Sequence, residues 1–300
     1  MSLSRRKFIR NLATGLFVPT LMDSALHASS GLGFWNITGS GFTWDADVLD
    51  WISRVQGQGS DTNTNTRLSM NSFVQLTKSY TGGLWDKLKR VGVYSGDSVG
   101  ALKAPLKNTW GNVNDAFGPT DFTYAESTGA AGVFASQIGI NTGLNPSVVA
   151  TINDIHISVY SRTAGNETGS AINVVSGGTS DLSLLPRFAS DTSYCSICSE
   201  STYTTATDTS GQGLYVGSRT ASNSQKLYRN ASLIGTHTTP GGSLPNLTIF
   251  VHCQINSLST TNGTGKYLAW YSVGLGLDAT DVSNLYSAVQ ALQTALGRNV

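Results

Sequence analysis

Charged side chains are scarce in this sequence. Asp, Glu, Lys and Arg together make up 12% of the 300 residues, about half of the roughly 25% that is usual in soluble domains. Serine, threonine, asparagine and 33 glycines take their place. Such a polar but nearly uncharged surface suits short strands joined by many turns, and it suits neither a helical bundle nor a halophilic protein.

A basic cluster is missing from the body of the chain. The formal net charge is +1, and the one group of cations, Arg5, Arg6, Lys7 and Arg10, lies at the N-terminus. Binding to a phosphate backbone needs clustered lysines and arginines. We therefore expect no nucleic-acid partner.

Only three cysteines are present, too few for a disulfide framework. Cys195 and Cys198 form a lone C-x-x-C, without the second pair or the spaced histidines that a structural zinc site requires. A disulfide between them and two inert thiols both remain open, and Cys253 falls in the apolar register of a strand. We therefore expect no metal site built on cysteine.

Paired carboxylates are also absent around the three glutamates. Glu126, Glu167 and Glu200 each lack a second carboxylate two or four residues away. Sandwich glycosidases need two carboxylates across the scissile bond, usually at alternating positions of one strand. This class of enzyme is therefore excluded.

One motif keeps a different enzyme class open. Residues 96–100 match the G-x-S-x-G nucleophile elbow around Ser98, which works only between an entering strand and a leaving helix. Pro105 interrupts the exit, and no alternating βαβ pattern follows. A serine hydrolase is therefore the third hypothesis for function. The histidines available as its base are His156, His237 and His252.

The apolar run near the N-terminus, residues 12–22, is too short to span a bilayer. A basic segment precedes it, and the small residues Ala25 and Ala28 follow it, which is the order of a signal peptide. The start, Ser-Arg-Arg-Lys-Phe-Ile, resembles a twin-arginine export signal. We predict a signal peptide over residues 1–28 and a periplasmic, cell-surface or extracellular location; the alternative is a retained basic helix that docks on a membrane or a partner.

Helical periodicity is confined to the two ends of the remaining chain. Near the start, Thr43 is the predicted cap of a first helix, a second covers about residues 67–80, and a further turn begins at residue 84. The chain closes with a helix capped by Asp278 and stopped by Gly297. The apolar positions of the first helix are Val48, Leu49, Ile52 and Val55, and those of the last are Val282, Leu285, Val289, Leu292 and Leu296.

From about residue 101 the pattern changes to short alternating runs separated by turn residues. Residues 155–160 and 247–255 alternate between apolar and polar side chains, as strands with one buried face do. Residues 229–231 read as a tight turn between two further strands. Many short strands with turns between them indicate a sandwich or a barrel.

Several of these segments together resemble a known group. Residues 217–220 running into 227–230 are similar to laminin-G-like and concanavalin-A-like modules, and residues 271–277 with the closing helix resemble the end of such modules. Residues 83–88 resemble lectin-like proteins of phages, prophages and bacterial surfaces. The resemblance covers residues 43–300 and implies a mainly β, concanavalin-A-like jelly-roll sandwich with short N-terminal helices and a C-terminal helix.

The resemblance also sets the expected domains and partners. Residues 29–105 are predicted to be a helical lead-in packed on the sandwich, and residues 106–300 the lectin-like sandwich with its closing helix. The fold implies an exported, non-enzymatic module that binds carbohydrate or another cell-surface polymer. No cofactor is expected, although calcium stays open because proteins of this fold often carry it in loops. The alternative is a structural or assembly protein, in which the stripe of the closing helix serves a homo-oligomer contact.

Candidate ligand-binding residues come from a local repeat and from aromatics near predicted loops. The repeat places Arg162 and Arg219 after two similar strands. Either these are merely similar strand ends, or the two arginines share one rim and bind a polar ligand. Aromatic rings pair with such donors in sugar sites. The aromatic candidates are Trp110, Tyr203 and Tyr215, and core packing is the alternative for each.

Overall fold

The structure is a computed structural model that describes residues 43–118, 120–134, 138–176, 180–198, 203–256, 259–261 and 263–300. The chain divides into two units, Met1–Thr43 and Trp44–Val300. The predicted signal peptide, residues 1–28, lies outside the described residues. Everything below concerns the second unit.

Helices occur near the start and at the end of this unit, as the periodicity predicts. None of the described helices combines the length and the apolar character needed to cross a membrane. In addition to the α-helices, the described residues contain two short 3-10 turns, Val99–Lys103 and Ala189–Asp191. The α-helices are α1 (Ala46–Gly57), α2 (Thr64–Ser79), α3 (Leu84–Lys87), α4 (Pro146–Val149) and α5 (Ala279–Ala295).

Short polar side chains set the N-termini of the three long helices. Asp278 and Asp281 form a reciprocal capping box that starts α5. Asn63 caps α2. Asp45, rather than the predicted Thr43, caps α1 by accepting a hydrogen bond from the Asp47 amide.

The strands form two sheets, which confirms the predicted mainly β sandwich with helices before and after it. Alternation correctly predicts the strand over residues 155–160. The continuous strand predicted over residues 247–255 is wrong, because the chain breaks between Phe250–Val251 and Gln254–Asn256, where His252 has φ 70°. The strands are β1 (Leu88–Val93), β2 (Lys107–Asn108), β3 (Thr123–Ala125), β4 (Gly129–Ala131), β5 (Ile140–Asn141), β6 (Ile155–Ser161), β7 (Ile172–Ser176), β8 (Ser180–Phe188), β9 (Thr192–Ile197), β10 (Thr204–Thr207), β11 (Gly213–Ala221), β12 (Ser224–Arg229), β13 (Ser232–His237), β14 (Phe250–Val251), β15 (Gln254–Asn256), β16 (Ser259–Thr261) and β17 (Tyr267–Gly274).

The first sheet, sheet A, runs in the order β13-β12-β11-β6-β17-β1-β2, with β4 and β3 attached beside β17. The second, sheet B, runs β10-β9-β8-β7-β14-β5, with β15 and β16 attached beside β7. The pairings are antiparallel except for a single parallel contact between β15 and β7. Consecutive strands are neighbours in two runs, β7 to β10 in sheet B and β11 to β13 in sheet A, as expected for hairpin connections.

Two apolar cores divide the unit into three layers. One core lies between sheet A and the helices, where the ring of Phe73 on α2 meets Trp270 on β17 with centroids 5.1 Å apart. The other lies between the two sheets and contains Tyr271, the next residue of β17. Because side chains of a strand alternate between faces, β17 contributes to both cores. Sheet B has no helical layer on its outer face among the described residues.

The closing helix packs within the chain. Its predicted stripe, including Val282, Leu285 and Val289, is buried in the core shared with α2 and sheet A. The stripe is therefore occupied, and it offers no surface to a second subunit. On α1 the prediction that Leu49 is buried is wrong, since its side chain is 42% exposed. Trp51 lies beside Val48 on the buried face instead.

The boundary predicted at residue 105 does not separate two layers. The segment predicted as a helical lead-in contains β1, which lies inside sheet A between β17 and β2. The helical turn Leu84–Lys87 runs directly into this strand. The lead-in and the sandwich therefore share one sheet.

The three cysteines are buried, and their thiols are free. Burial raises the pKa of both Cys198 and Cys253 to about 12. Thiols that stay protonated at neutral pH are poor nucleophiles and poor metal ligands. Of the two alternatives for Cys195 and Cys198, the structure contains the inert thiols.

The predicted turn after β12 places two non-glycine residues in the left-handed region. Asn230 has φ 47° and Ala231 has φ 66°. Alanine there is strained by roughly 1 kcal/mol relative to glycine. We expect Ala231→Gly to raise the free energy of unfolding by up to about 1 kcal/mol in urea titrations; a loss of stability would show that the turn is not strained.

Candidate functional site

The outer face of sheet B, which is turned away from the core between the sheets, carries polar side chains on its central strands. On β8, Leu182 and Leu184 point into the core between the sheets. The alternating positions Asp181, Ser183 and Leu185 therefore lie on the outer face. These side chains are nevertheless buried, since Asp181 is 7% and Ser183 is 1% exposed. They therefore line a recess in this face.

Neighbouring strands extend this surface across the sheet. Ser183 pairs with Asn173 of β7 on one side and with Ser196 of β9 on the other. Tyr203 precedes the Thr204–Cys195 pair, so it lies opposite Ser196 on the next strand. Cross-strand partners have Cβ atoms about 5 Å apart. A row of polar side chains thus crosses four strands.

Three aromatic rings line one side of this row. The centroids of Phe188 and Tyr194 are 5.1 Å apart at 80°, and those of Tyr194 and Tyr203 are 6.0 Å apart at 81°. These edge-to-face contacts hold the rings in fixed orientations. Tyr203 is 46% exposed, an unusual position for a large ring. The three rings therefore give the polar row an apolar wall.

The row and the wall enclose a cleft of about 290 Å³. This volume is at the lower end of the range of small-molecule sites. Apolar walls with a few convergent polar groups are the usual composition of such sites. The lining residues are Thr168, Ser170, Asn173, Asp181, Ser183, Leu185, Phe188, Tyr194, Tyr203 and Gln254.

Two buried oxygens in the cleft have no hydrogen-bond donor among the described residues. They are Oδ1 of Asn173 and Oδ1 of Asp181, and these residues are only 3% and 7% exposed. The other carboxylate oxygen of Asp181 accepts a 2.9 Å bond from Ser183 Oγ. Buried polar atoms are almost always paired with protein groups or ordered water. Each of these two oxygens therefore needs a donor, which a water molecule or a ligand hydroxyl can supply.

Burial in the cleft shifts the pKa values of Asp181 and Tyr203. Burial raises the pKa of the Asp181 carboxyl to about 6, against the opposing effect of hydrogen bonds from Ser183 and Tyr203. Burial and the nearby Asp181 charge raise the pKa of Tyr203 to about 12. At neutral pH the cleft therefore contains a carboxylate and a neutral tyrosine hydroxyl that serves as a donor.

Strained backbone flanks the cleft on both sides. Cys198 has φ 55°, and its amide donates to the Asp181 carbonyl at 2.6 Å. Arg187, which precedes Phe188, has φ 43°. Residues of this kind in the left-handed region store roughly 1–3 kcal/mol and cluster at binding sites.

Of the residues predicted from sequence, Tyr203 alone lines this cleft. The prediction that Arg162 and Arg219 share a rim is wrong because β6 and β11 are antiparallel. Gly213 pairs with Ser161 and Arg219 pairs with Ile155, so the two arginines lie at opposite ends of the strand pair. Six residues of strand separate them, roughly 20 Å.

The side chains of these two arginines bond to the protein itself. The buried Arg219 guanidinium donates to the carbonyls of Ile197 and Ser222 at 2.8 and 2.6 Å. Arg162 Nη1 donates to the Ser127 carbonyl at 2.6 Å. The local repeat therefore reflects two similar strand ends and not a shared binding rim. Arg219, on sheet A, links the two sheets through its hydrogen bond to the Ile197 carbonyl of sheet B.

The other aromatic candidates contribute to packing. Tyr215 is fully buried in the core between the sheets, and its hydroxyl donates to Asp208. Trp110 is half-buried against the same core, and its carbonyl accepts from Arg90 at 2.7 Å. Core packing, which was the alternative to ligand binding, is therefore the role of both Tyr215 and Trp110.

A second cavity, of about 350 Å³, lies beside the N-terminus of α2. Its carboxylate, Glu126, already accepts hydrogen bonds from Thr66 Oγ1 at 2.6 Å, Ser95 Oγ at 2.9 Å and Asn63 Nδ2 at 3.0 Å. A carboxylate paired in this way ties the helix to the sheet. The cleft on sheet B, with its unpaired oxygens, is the better candidate for a ligand site.

The histidines predicted as a base for Ser98 bond elsewhere. Ser98 Oγ lies 2.6 Å from Ser60 Oγ, and the residue precedes a 3-10 turn rather than a helix. His156 bonds to Leu275 and Ser272, and burial lowers its pKa to about 4. His252 lies between the rings of Tyr94 and Phe122. Nδ1 of His237 accepts a hydrogen bond from the Thr239 amide. The described histidines thus supply no base to Ser98.

Sequence reasoning missed most of the cleft. The alternation of residues 180–185 is a signal that could have found β8 and its outer face. No local pattern joins β8 to its neighbours, because their pairing depends on hairpins and sheet register. The missed residues are Asn173, Asp181, Ser183, Phe188, Tyr194 and Gln254.

Sequence comparison gives no family for this chain: no family model matches it, and no curated protein matches it. Structural comparison finds partial similarities. Domain 4 of AbnA, a GH43 extracellular arabinanase from Geobacillus stearothermophilus in complex with arabinotriose, has a TM-score of 0.46 and 14% identity. The match covers 67% of this chain and 98% of that domain.

Two further structures also show partial similarity. A Trypanosoma rangeli sialidase in complex with 2,3-difluorosialic acid has a TM-score of 0.49 and 9% identity, over 74% of this chain and 38% of the sialidase. The binding domain of botulinum neurotoxin serotype C1 has a TM-score of 0.37 and 13% identity, over 51% of this chain and 41% of that domain. These values are too low to support a functional conclusion.

Proposed function

We propose that this protein is an exported binding module whose cleft on the outer face of sheet B binds carbohydrate. The observation that carries the proposal is the pair of buried, unpaired acceptors, Asn173 Oδ1 and Asp181 Oδ1, beside the exposed ring of Tyr203. A sugar ring offers both hydroxyl donors and an apolar face, so it satisfies both features at once.

The cleft favours binding over hydrolysis of the sugar. Among its described lining residues Asp181 is the one carboxylate. Glycoside hydrolysis generally needs two carboxyl groups about 5 to 9.5 Å apart. A single carboxylate with amide and hydroxyl neighbours suits recognition without bond cleavage.

Export belongs to the same proposal. The order of basic, apolar and small residues at the start of the chain favours a twin-arginine signal. Glycans that a binding module of this kind would meet lie outside the cytoplasm, so location and ligand agree. The proposed location is the periplasm, the cell surface or the medium.

A glycan array tests the proposal with one variant and one matched control. We expect the purified full chain to bind at least one glycan class, and Tyr203→Ala to weaken that binding by on the order of tenfold, because a stacked ring contributes about 1–1.5 kcal/mol. Leu233→Ala removes a side chain of similar exposure, 51%, from β13 of sheet A and is expected to bind as the unaltered protein does. Absence of binding to every glycan, or equal binding by Tyr203→Ala, would contradict the proposal.

A further inference from the structure

We propose that the glycan bound in the cleft carries a protonated amine, as in a deacetylated hexosamine, and that Asp181 is its counter-ion. This inference rests on the proposed function and specifies the ligand class of the same site. It follows from the lack of a described cation beside Asp181. Asp181 is the one charged side chain among the described lining residues.

The carboxylate of Asp181 has no cationic partner among the residues that the structure describes. Its donors are the neutral hydroxyls of Ser183 and Tyr203, and Oδ1 has no donor among the described residues. The short internal segments outside the described ranges contain no lysine or arginine either. Buried carboxylates are normally paired with a cation, so this one is unusual.

The basic residues of the neighbouring elements bond elsewhere. Arg187 pairs with Asp191 at 2.9 Å. Lys266 Nζ donates to the Gly165 carbonyl at 2.7 Å. Arg219 donates to carbonyls on the core side of sheet B. The negative charge in the cleft is therefore left for a ligand to neutralise.

The aromatic wall fits a cationic ligand as well. Aromatic faces attract ammonium groups, most strongly where water is excluded. Tyr203 provides an exposed ring at the same carboxylate. The remaining lining groups, including Asn173 and Thr168, match hydroxyls rather than further charge, so an amino sugar fits better than a simple amine.

Calorimetric titration at pH 6.5 compares two probes that differ only in the substituent at C2, a charged amine in one and a larger, uncharged acetamide in the other. One is the β-1,4-linked trimer of glucosamine, and the other is the same trimer N-acetylated. We expect the glucosamine trimer to bind on the order of tenfold more tightly, because a charge-assisted hydrogen bond exceeds a neutral one by about 1.4 kcal/mol or more. The preference is expected to shrink as sodium chloride is added.

Asp181→Asn is the matched variant, since it keeps the shape and removes the charge. It is expected to bind both trimers within about twofold of each other. Its melting temperature is expected to equal or exceed that of the unaltered protein, because an unpaired buried charge has been removed. A melting curve therefore separates lost charge from lost folding.

The outcomes separate this inference from the function on which it rests. The acetylated trimer could bind as tightly as the glucosamine trimer or more tightly, with Tyr203→Ala weakening its binding. That result would overturn the proposed amine and would support the carbohydrate site. If neither trimer binds, the amino-sugar assignment fails, and the array alone judges the wider proposal. A trilysine peptide is the third arm, and tighter binding of that peptide than of the glucosamine trimer would overturn the sugar assignment.

Discussion

Replacing Arg90 by methionine is expected to lower the free energy of unfolding by about 3–5 kcal/mol, because the change leaves a buried carboxylate without its cation. Arg90 and Asp115 are both fully buried and form an ion pair of 2.5 Å. Tyr271 also donates to this carboxylate at 2.6 Å. The network joins β1 and β17 of sheet A to the loop that contains Asp115.

Urea titrations followed by circular dichroism measure this loss. Arg67→Met is the control, because Arg67 pairs with Asp61, a carboxylate that is largely in water; it is expected to change stability by less than about 1 kcal/mol. Adding Asp115→Leu to Arg90→Met is expected to restore part of the loss, since no unpaired charge remains. Equal effects for Arg90→Met and Arg67→Met would show that the buried pair is not the anchor described here.

Arg298→Ala is expected to have the second large effect, a loss of roughly 3–5 kcal/mol. The buried guanidinium donates to the carbonyls of Tyr94, Glu126 and Ala269 and to Gln293 Oε1. Each buried acceptor that loses its donor is destabilising by about 1–3 kcal/mol, less where water enters. One side chain thus joins β17, α5 and the segments that follow β1 and β3.

Thermal unfolding of Arg298→Ala and Arg298→Lys tests this role. Burial lowers the pKa of Arg298 to about 10, so the side chain stays charged at neutral pH. A lysine ammonium offers three donors instead of five, and it lacks the planar fork that reaches acceptors on separate elements. Arg298→Lys is therefore expected to recover part of the stability. A melting temperature of Arg298→Ala within 1–2 °C of the unaltered protein would contradict the role, since a loss of this size shifts it by several degrees.

The closing helix could be predicted from the sequence in detail because its signals are local. The capping residues Asp278 and Asp281 lie three positions apart, and the apolar stripe repeats with the helical period. The alternation within β6 is local in the same way. These elements are specified by neighbouring residues, so reading a short window was enough.

The position of β1 could not be predicted in the same way. Leu84 begins a helical turn, and Leu88 continues its apolar pattern, yet Leu88–Val93 is a strand of sheet A. Its partner β17 lies about 180 residues further along the chain. Pairing over such a distance leaves no local trace, so residues 29–105 were predicted to be a helical lead-in outside the sheet.

The cleft escaped prediction for a related reason. Asn173, Ser183 and Ser196 meet only because three strands pair in one register. The repeat around Arg162 and Arg219 shows the converse, since similar local sequences lie at opposite ends of an antiparallel pair. Tyr203 was found because an aromatic residue in a polar segment is itself a local signal.

The crystal structure of the full chain soaked with the strongest ligand from the glycan array is the most direct test of the proposed site. The account predicts a sugar ring packed on Tyr203, with hydroxyl or amino groups within hydrogen-bonding distance of Asn173 Oδ1 and Asp181 Oδ1. Soaking Tyr203→Ala crystals under the same conditions is expected to leave the cleft without the sugar. Electron density for the glycan at any other surface, with the outer face of sheet B empty, would contradict the account.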